Sequence, residues 1–253
     1  MREVIILIPS RLKSRRLKNK PLLKIDGLPL VLHTYKRASM SKLASRIYVC
    51  TDSKVIEKEC KKFSSSVVMT SSKHKNGTER IAEAAKKLKL KDEDIIVDVQ
   101  GDEPLIDPKQ IDRAINFFKR KKFEIILPNI LMKNAYSKNI VKLVFDKKNK
   151  VRWMSRSDIP HNFNSKNNMY YKHLSIIVFT KRSLIKYSKL KQSKNEKIES
   201  IELLRALEND MSLGTFTIKS DSFSVDVLED YLKAQRYFKN DKIKRNYIFS
   251  KTK

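Results

Sequence analysis

Glycine, cysteine, tryptophan and acidic side chains are all scarce in this chain of 253 residues, which has 4 Gly, 2 Cys, 1 Trp and 28 Asp plus Glu. Cys50 and Cys60 are too far apart for a redox CxxC pair and match no paired metal-ligand pattern, so both are expected to be reduced, packed thiols. No stretch reaches the roughly 18 uncharged apolar residues of a membrane span. The segment Met1 to Pro9 lacks the basic flank and small-residue cleavage site of a secretory signal. A cytoplasmic protein without membrane insertion is the expectation. Against the few acids stand 56 Lys plus Arg, a net charge of +28 that attracts phosphorylated substrates, nucleic acid or anionic lipid. The lysines are scattered along the whole chain, whereas single-strand binders gather them into a stripe interleaved with aromatics. No specific nucleic-acid partner is therefore expected. Where glycine is this rare, the positions that keep it mark positive φ or close backbone approach. Gly27, Gly77 and Gly101 all fall inside the motifs discussed below.

Val4 to Ile8 is an unbroken apolar run, as a strand buried on both faces requires. Further strands are expected at Ile47 to Cys50, Val67 to Thr70 and Ile95 to Val99. Helices are expected at Pro29 to about Met40, Val55 to Phe63, Thr78 to Leu88 and from Asp107, where Pro108 suits the first helical position and Gln110 can complete a capping box. This alternation predicts a three-layer, doubly wound α/β fold with a mostly parallel sheet and ligands at the carboxyl ends of its strands. After residue 128 the strands become longer and more polar: Ile140 to Phe145, Val151 to Met154 and Tyr171 to Phe179. A single domain over 1–253 is expected, with an inserted antiparallel lobe at about 130–215. His161 to Asn168 reads as a mobile loop, Glu196 to Leu207 as a helix, Thr215 to Lys219 as a returning strand and Val227 to Phe238 as the final helix, with a frayed basic tail from Lys239 to Lys253.

Four stations carry chemistry. Ser10 to Pro21 follows the first strand and includes Arg11, Lys13, Arg15, Arg16, Lys18 and Lys20, cations that suit a triphosphate and a departing pyrophosphate. It lacks the glycines of a P-loop, and on its own fits a solvated basic loop equally well. His74 to Arg80 opens a helix whose first N–H groups can hold a phosphate or a base edge, or simply be capped. Asp98 to Pro104 ends a buried strand with Gln100, Asp102 and Glu103; magnesium uses one or two carboxylates plus water and substrate phosphate, so Asp102 suits it. Ser224-Val225-Asp226 precedes the last helix, where Asp226 is either a cap or a ligand.

In this order and spacing the stations resemble the CMP-Kdo synthetase family, the 3-deoxy-manno-octulosonate cytidylyltransferases. The likeness runs nearly end to end. It includes Ile8-Pro9-Ser10-Arg11, Lys20-Pro21-Leu22, Thr51-Asp52, Gly77-Thr78-Glu79-Arg80, Val99-Gln100-Gly101-Asp102-Glu103-Pro104, Ser155-Arg156, Lys172-His173-Leu174, Glu199-Ser200-Ile201-Glu202 and Val225-Asp226. The resemblance implies a nucleotide-diphospho-sugar transferase type of fold and a homodimer assembled through a small antiparallel lobe. It implies that Arg11 and Lys20 hold the CTP phosphates, with Arg16, Thr78, Arg80 and Gln100 on the nucleotide. Asp102 and Asp226 would carry Mg2+, and Gln100, Arg156, His173 and Glu202 would grip an acidic sugar. The implied reaction is in-line attack of the sugar's anomeric hydroxyl on the α-phosphorus of CTP, to give the CMP-sugar for lipopolysaccharide or surface polysaccharide synthesis.

The chain departs from the family at several points. Lys18-Asn19 replaces Pro-Gly before the phosphate-loop lysine, and asparagine tolerates positive φ better than most residues. Ser175 stands for a glycine, Ile177 for a tyrosine, Leu203 for a glutamine, Ser224 for a glycine and Val227-Leu228 for Thr-Pro. The changes at Ser175, Ile177 and Leu203 keep a related sugar acid open as substrate, such as an amino-Kdo or a nonulosonic acid, while those at Ser224 and Val227-Leu228 bear on the placement of Asp226. The +28 charge also keeps open an inactive binder of anionic polymers on the same fold.

Overall fold

Val4–Ser10 forms β1, and all seven of its residues are buried. The computed structural model describes residues 2–14, 16–133, 137, 139–163, 169–219 and 222–248. A 3-10 turn at Lys20–Leu22 leads into a hairpin of β2 (Lys24–Ile25) and β3 (Leu28–Pro29), with Asp26 and Gly27 at positive φ, 47° and 79°, in its tip. Then come α1 (Leu30–Ala38), β4 (Arg46–Thr51), α2 (Lys54–Lys62), β5 (Val67–Met69), α3 (Gly77–Lys87), β6 (Ile95–Val99) and α4 (Pro108–Arg120). β1 lies between β4 and β6, parallel to both, and β5 is parallel to β4.

Side chains alternate across these strands and so build two cores. Val4, Ile6 and Ile8 pack with Val31, Leu32, Ile56 and Ile111 of α1, α2 and α4 on one face. Ile5 and Leu7 pack with Ile81, Ala84 and Ala85 of α3 on the other. The result is the expected three-layer α/β arrangement.

The second half adds β7 (Ile125–Lys133), β8 (Lys142–Phe145), β9 (Val151–Ser155), β10 (Met169–His173), β11 (Ile176–Thr180), α5 (Lys181–Ser188), α6 (Lys194–Glu199), α7 (Leu204–Leu207), β12 (Leu213–Thr217), α8 (Leu228–Lys239) and α9 (Arg245–Ile248). Its antiparallel strands continue the main sheet, giving ten strands in the order β5-β4-β1-β6-β11-β7-β10-β8-β9, with β12 beside β7. β11 joins the halves by running antiparallel to β6, with Ile176 opposite Val99. A third core of Ile25, Leu30, Val225, Ala234 and Phe238 holds α8 against the hairpin and so fixes the approach of Asp226 to the strand ends.

Several elements differ from expectation. The run Tyr171 to Phe179 is two strands, because the chain changes sheet neighbours at Leu174-Ser175: β10 pairs with β7 and β8, β11 with β6 and β7. The helix expected over Glu196 to Leu207 is α6 and α7, parted by Ser200 in the left-handed region at φ 51°. β7 and α5 have no counterpart in the sequence reading. The tail is not frayed through residue 248: Asp241 pairs with the buried Arg37, Lys244 with Asp26, and the Tyr247 hydroxyl meets His33 Nδ1 at 2.9 Å. Residues 164–168 of the expected loop and 249–253 of the tail lie outside the described residues.

Candidate active site

Three chain segments crowd the carboxyl end of β1, and two glycines permit it. A Cβ on Gly101 would sit 3.0 Å from the Pro9 carbonyl oxygen, and one on Gly77 would sit 3.1 Å from Pro9 Cγ. Any side chain at either position would push the loop after β6, or the start of α3, away from the strand end. Between them opens a cleft of about 370 Å³, lined among others by Arg11, Lys20, Gln100, Asp102, Glu202 and Asp226. A larger hollow of about 1070 Å³ lies between α4 and α8, away from the sequence motifs.

Lys20 is the centre of the charged arrangement. Asn19 adopts the left-handed conformation, φ 53° and ψ 29°, so the turn survives without the glycine. The following ammonium then reaches both aspartates. Lys20 Nζ donates to Asp102 Oδ2 at 2.5 Å and to Asp226 Oδ1 at 3.1 Å, while Arg16 Nη2 lies 2.8 Å from the same Asp226 oxygen. Burial opposes the charged lysine, but the charges of Asp102 and Asp226 and their hydrogen bonds hold its pKa above the ordinary value. Asp226 does not cap α8. That task falls to Asp230, whose carboxylate accepts from Asp226 N and Val227 N at 3.0 and 3.1 Å.

The α3 side of the cleft brings His74, Lys75 and Arg80 into the lining. Asn76 caps the helix by accepting from Glu79 N at 2.8 Å. Thr78 Oγ1 donates to Glu202 at 2.9 Å, and burial raises the Glu202 pKa. Arg80 lines the cleft, but its guanidinium is also committed to the wall: Nη1 donates to Thr70 Oγ1 at 2.6 Å and Nη2 lies 3.3 Å from Asp52.

Asp98 is a functional candidate that sequence reasoning passed over. It is fully buried on β6, and burial, followed by the nearby Glu202 charge, raises its pKa well above the carboxylate range. Gln100 Nε2 donates to both Asp98 oxygens, at 2.9 and 3.0 Å. A carboxyl inside an otherwise apolar strand was the available signal.

Two expected sugar contacts lie outside the cleft lining. Arg156 donates to the carbonyls of Glu199 at 2.6 Å and Ser200 at 3.0 Å. His173 sits on β10, where burial lowers its pKa to about 4 and leaves Nδ1 without a hydrogen-bond partner among the described residues. Ile177 and Leu203 are both buried in the α3-side core.

The sequence and the fold both match known proteins. A family model described as cytidylyltransferase matches residues 5–213. The chain is 38% identical over 238 residues to an 8-amino-3,8-dideoxy-manno-octulosonate cytidylyltransferase of Shewanella sp. (strain W3-18-1), covering 92% of this chain and 97% of the relative. It is 39% identical over 246 residues to a 3-deoxy-manno-octulosonate cytidylyltransferase of Thermodesulfovibrio yellowstonii, covering 92% and 96%. Among solved structures, CMP:2-keto-3-deoxy-manno-octonic acid synthetase complexed with CTP superposes with a TM-score of 0.88 at 29% identity, covering 94% of this chain and 98% of that one.

Proposed function

The chain belongs to the cytidylyltransferase family, and from that premise we propose that it joins the CMP part of CTP to a 3-deoxy-manno-octulosonate-type sugar acid. The observation that carries the reading is the convergence of the Asp102 and Asp226 carboxylates on one cationic centre, Lys20 Nζ, inside a cleft flanked by Arg11 and Arg16.

Two carboxylates that share a single cation fit the donor set of magnesium, which completes its coordination with water and substrate phosphate. Asp102 and Asp226 would hold the ion. When bound, it lowers the pKa of the attacking hydroxyl and offsets charge on the α-phosphate. The rest of the work belongs to this chain's cations and to positioning. Arg11 and Lys20 bind the triphosphate and stabilise the negative charge that gathers on pyrophosphate as the bond from the α-phosphorus to its bridging oxygen breaks. Arg80 and Gln100 orient the nucleotide, Gln100 and Glu202 receive the sugar, and Thr78, outside the cleft lining, holds Glu202 in place. The anomeric hydroxyl, held in line with the leaving group, forms the new bond to phosphorus and gives up its proton to solvent.

Glu202, an acidic side chain in the cleft lining, favours a second reading, in which the sugar carries an ammonium group. The relative from Shewanella, named for an 8-amino sugar, supports it. Pyrophosphate release from CTP and magnesium separates the two: Kdo as the efficient co-substrate supports the first, amino-Kdo the second. Absence of release with any sugar acid, alongside tight salt-sensitive RNA binding, would overturn both.

A homodimer is part of the proposal, supported by the exposed apolar side chains Leu131, Phe163 and Ile198 in the antiparallel half. The setting we propose is cytoplasmic synthesis of CMP-sugar for lipopolysaccharide or surface polysaccharide. No helix among the described residues is long and apolar enough to cross a membrane.

A further inference from the structure

Glu103, next to Asp102, is buried, and three serine hydroxyls gather on its carboxylate. Ser222 Oγ donates to Oε2 at 2.6 Å, Ser224 Oγ donates to Oε1, and Ser175 adds a further hydrogen bond. Ser175 Oγ and Ser224 Oγ are themselves 3.4 Å apart. A buried carboxyl without partners would be strongly unfavourable, so these bonds hold the chain segments that supply them in one arrangement.

The segments are the ones that matter for the two aspartates. Ser222 and Ser224 belong to the strip that ends in Asp226, and the backbone of that strip is tied to the other loop by Val225 N donating to Asp102 O at 2.9 Å. Ser175 comes from the break between β10 and β11, where its carbonyl accepts from Gln100 N at 3.4 Å. One buried side chain thus gathers the loop after β6, the lead into α8 and the start of β11.

Ser175 and Ser224 lie 49 residues apart in sequence and meet here on one carboxylate. Beside them, at the start of α8, the Asp230 carboxylate accepts from Asp226 N at 3.0 Å and Val227 N at 3.1 Å.

We propose that Glu103, engaged by Ser175, Ser222 and Ser224, is a positioning residue that sets the separation of Asp102 and Asp226 for the divalent cation they share. This role rests on the cytidylyltransferase reading with magnesium at those two aspartates. Glu103 lies outside the cleft lining, and acts through the loop that carries Asp102 and the strip that carries Asp226.

The test uses the full chain with Ser175→Gly, Ser224→Gly and the double variant, which remove hydroxyls without adding bulk. Glu103→Gln is the conservative control, because its amide keeps an acceptor for one serine. Mn2+ affinity is measured by electron paramagnetic resonance in the presence of CTP, and hydrogen exchange is followed across residues 222–227 in the ligand-free protein. Each single variant should weaken Mn2+ binding about 3- to 10-fold, the worth of one buried hydrogen bond. Exchange at Val225 should accelerate while the thermal midpoint stays within a few degrees. The double variant should lose little more than the weaker single, because both hydroxyls act on one carboxylate. Glu103→Gln should retain more affinity than Glu103→Ala. Unchanged affinity and exchange in the glycine variants would overturn the proposal, as would losses that merely follow the thermal midpoint. If Asp226→Asn binds Mn2+ as the unaltered chain does, the metal reading falls and the positioning role falls with it. If Asp226→Asn loses the ion while the glycine variants keep it, only the serine network is overturned.

Discussion

Lys20 Nζ stands 2.5 Å from Asp102 Oδ2, at the point where that carboxylate converges with Asp226. In the ligand-free protein the lysine neutralises two acids that would otherwise repel each other across the cleft mouth. With nucleotide and a divalent ion bound, the same ammonium is available to the phosphates. Replacing Lys20 with Met should therefore do two separable things. Turnover per bound substrate should fall about 10²- to 10³-fold, the usual effect of removing one donor to developing negative charge. The ligand-free thermal midpoint should drop, and magnesium alone should raise it by more than in the unaltered chain, because the ion relieves a repulsion that lysine no longer masks. Equal ligand-induced shifts in both proteins would contradict this account.

Asp102→Asn and Asp226→Asn keep size and remove charge. Each should lower the pyrophosphate release rate by about 10³-fold, the several kcal/mol that metal-assisted charge stabilisation supplies. Circular dichroism should show an intact fold, since neither carboxylate is packed in a core: their side chains are 26% and 32% exposed. Near-normal turnover in either variant would remove that residue from the metal site.

The motif residues of the amino-terminal half could be read from sequence because their structural causes are local. β1 and β6 are unbroken apolar runs, and Gly77 and Gly101 are kept where a Cβ would strike Pro9. β7 escaped notice because Pro128 and Asn129 lie in its middle, residues that normally argue against a strand. Asn129 is satisfied only by partners far along the chain: its amide donates to Thr215 Oγ1 at 2.7 Å and its carbonyl accepts from Thr217 at 3.0 Å. The packed tail was hidden for the same reason, since His33 and Arg37 lie more than 200 residues before Tyr247 and Asp241. Asp98 was passed over because a strand pattern records that a position is buried, and the Gln100 amide that engages it becomes visible only when the loop after β6 turns back.

His33 gives a pH dependence with a defined sign. Burial, with Arg37 nearby, lowers its pKa from 6.5 to about 4, while Ile25 O and the Tyr247 hydroxyl occupy its two ring nitrogens. Between those values the unfolded chain binds the proton and the folded chain does not. Stability from this group is therefore complete above pH 6.5 and is lost as pH falls toward 4, at up to about 1.4 kcal/mol per pH unit. The buried carboxyls Asp98, Glu103 and Glu202, with raised pKa values, tilt the absolute curve the other way. The difference between chains is thus the useful observable. Urea unfolding at pH 7, 6 and 5 should show a shallower acid loss in His33→Gln than in the unaltered chain; parallel curves would show that His33 is not buried neutral.

Arg37 and Asp241 form the deepest ion pair of the tail, with side chains 1% and 11% exposed. The guanidinium also donates to Ile106 O at 3.2 Å and reaches the Tyr247 hydroxyl at 3.4 Å. Removing one member of such a pair leaves a charge that water cannot reach, so Asp241→Ala should cost about 3–5 kcal/mol in urea unfolding. The surface pair Arg182 and Glu93, with side chains 68% and 66% exposed, provides the contrast; Glu93→Ala should leave the unfolding midpoint within experimental scatter. Replacing both buried partners, as Arg37→Met with Asp241→Leu, should recover most of the loss, because the penalty comes from an orphaned charge and not from an absent attraction. A double variant as unstable as Asp241→Ala alone would mean that the tail is held mainly by its shape against α1, with the ion pair incidental.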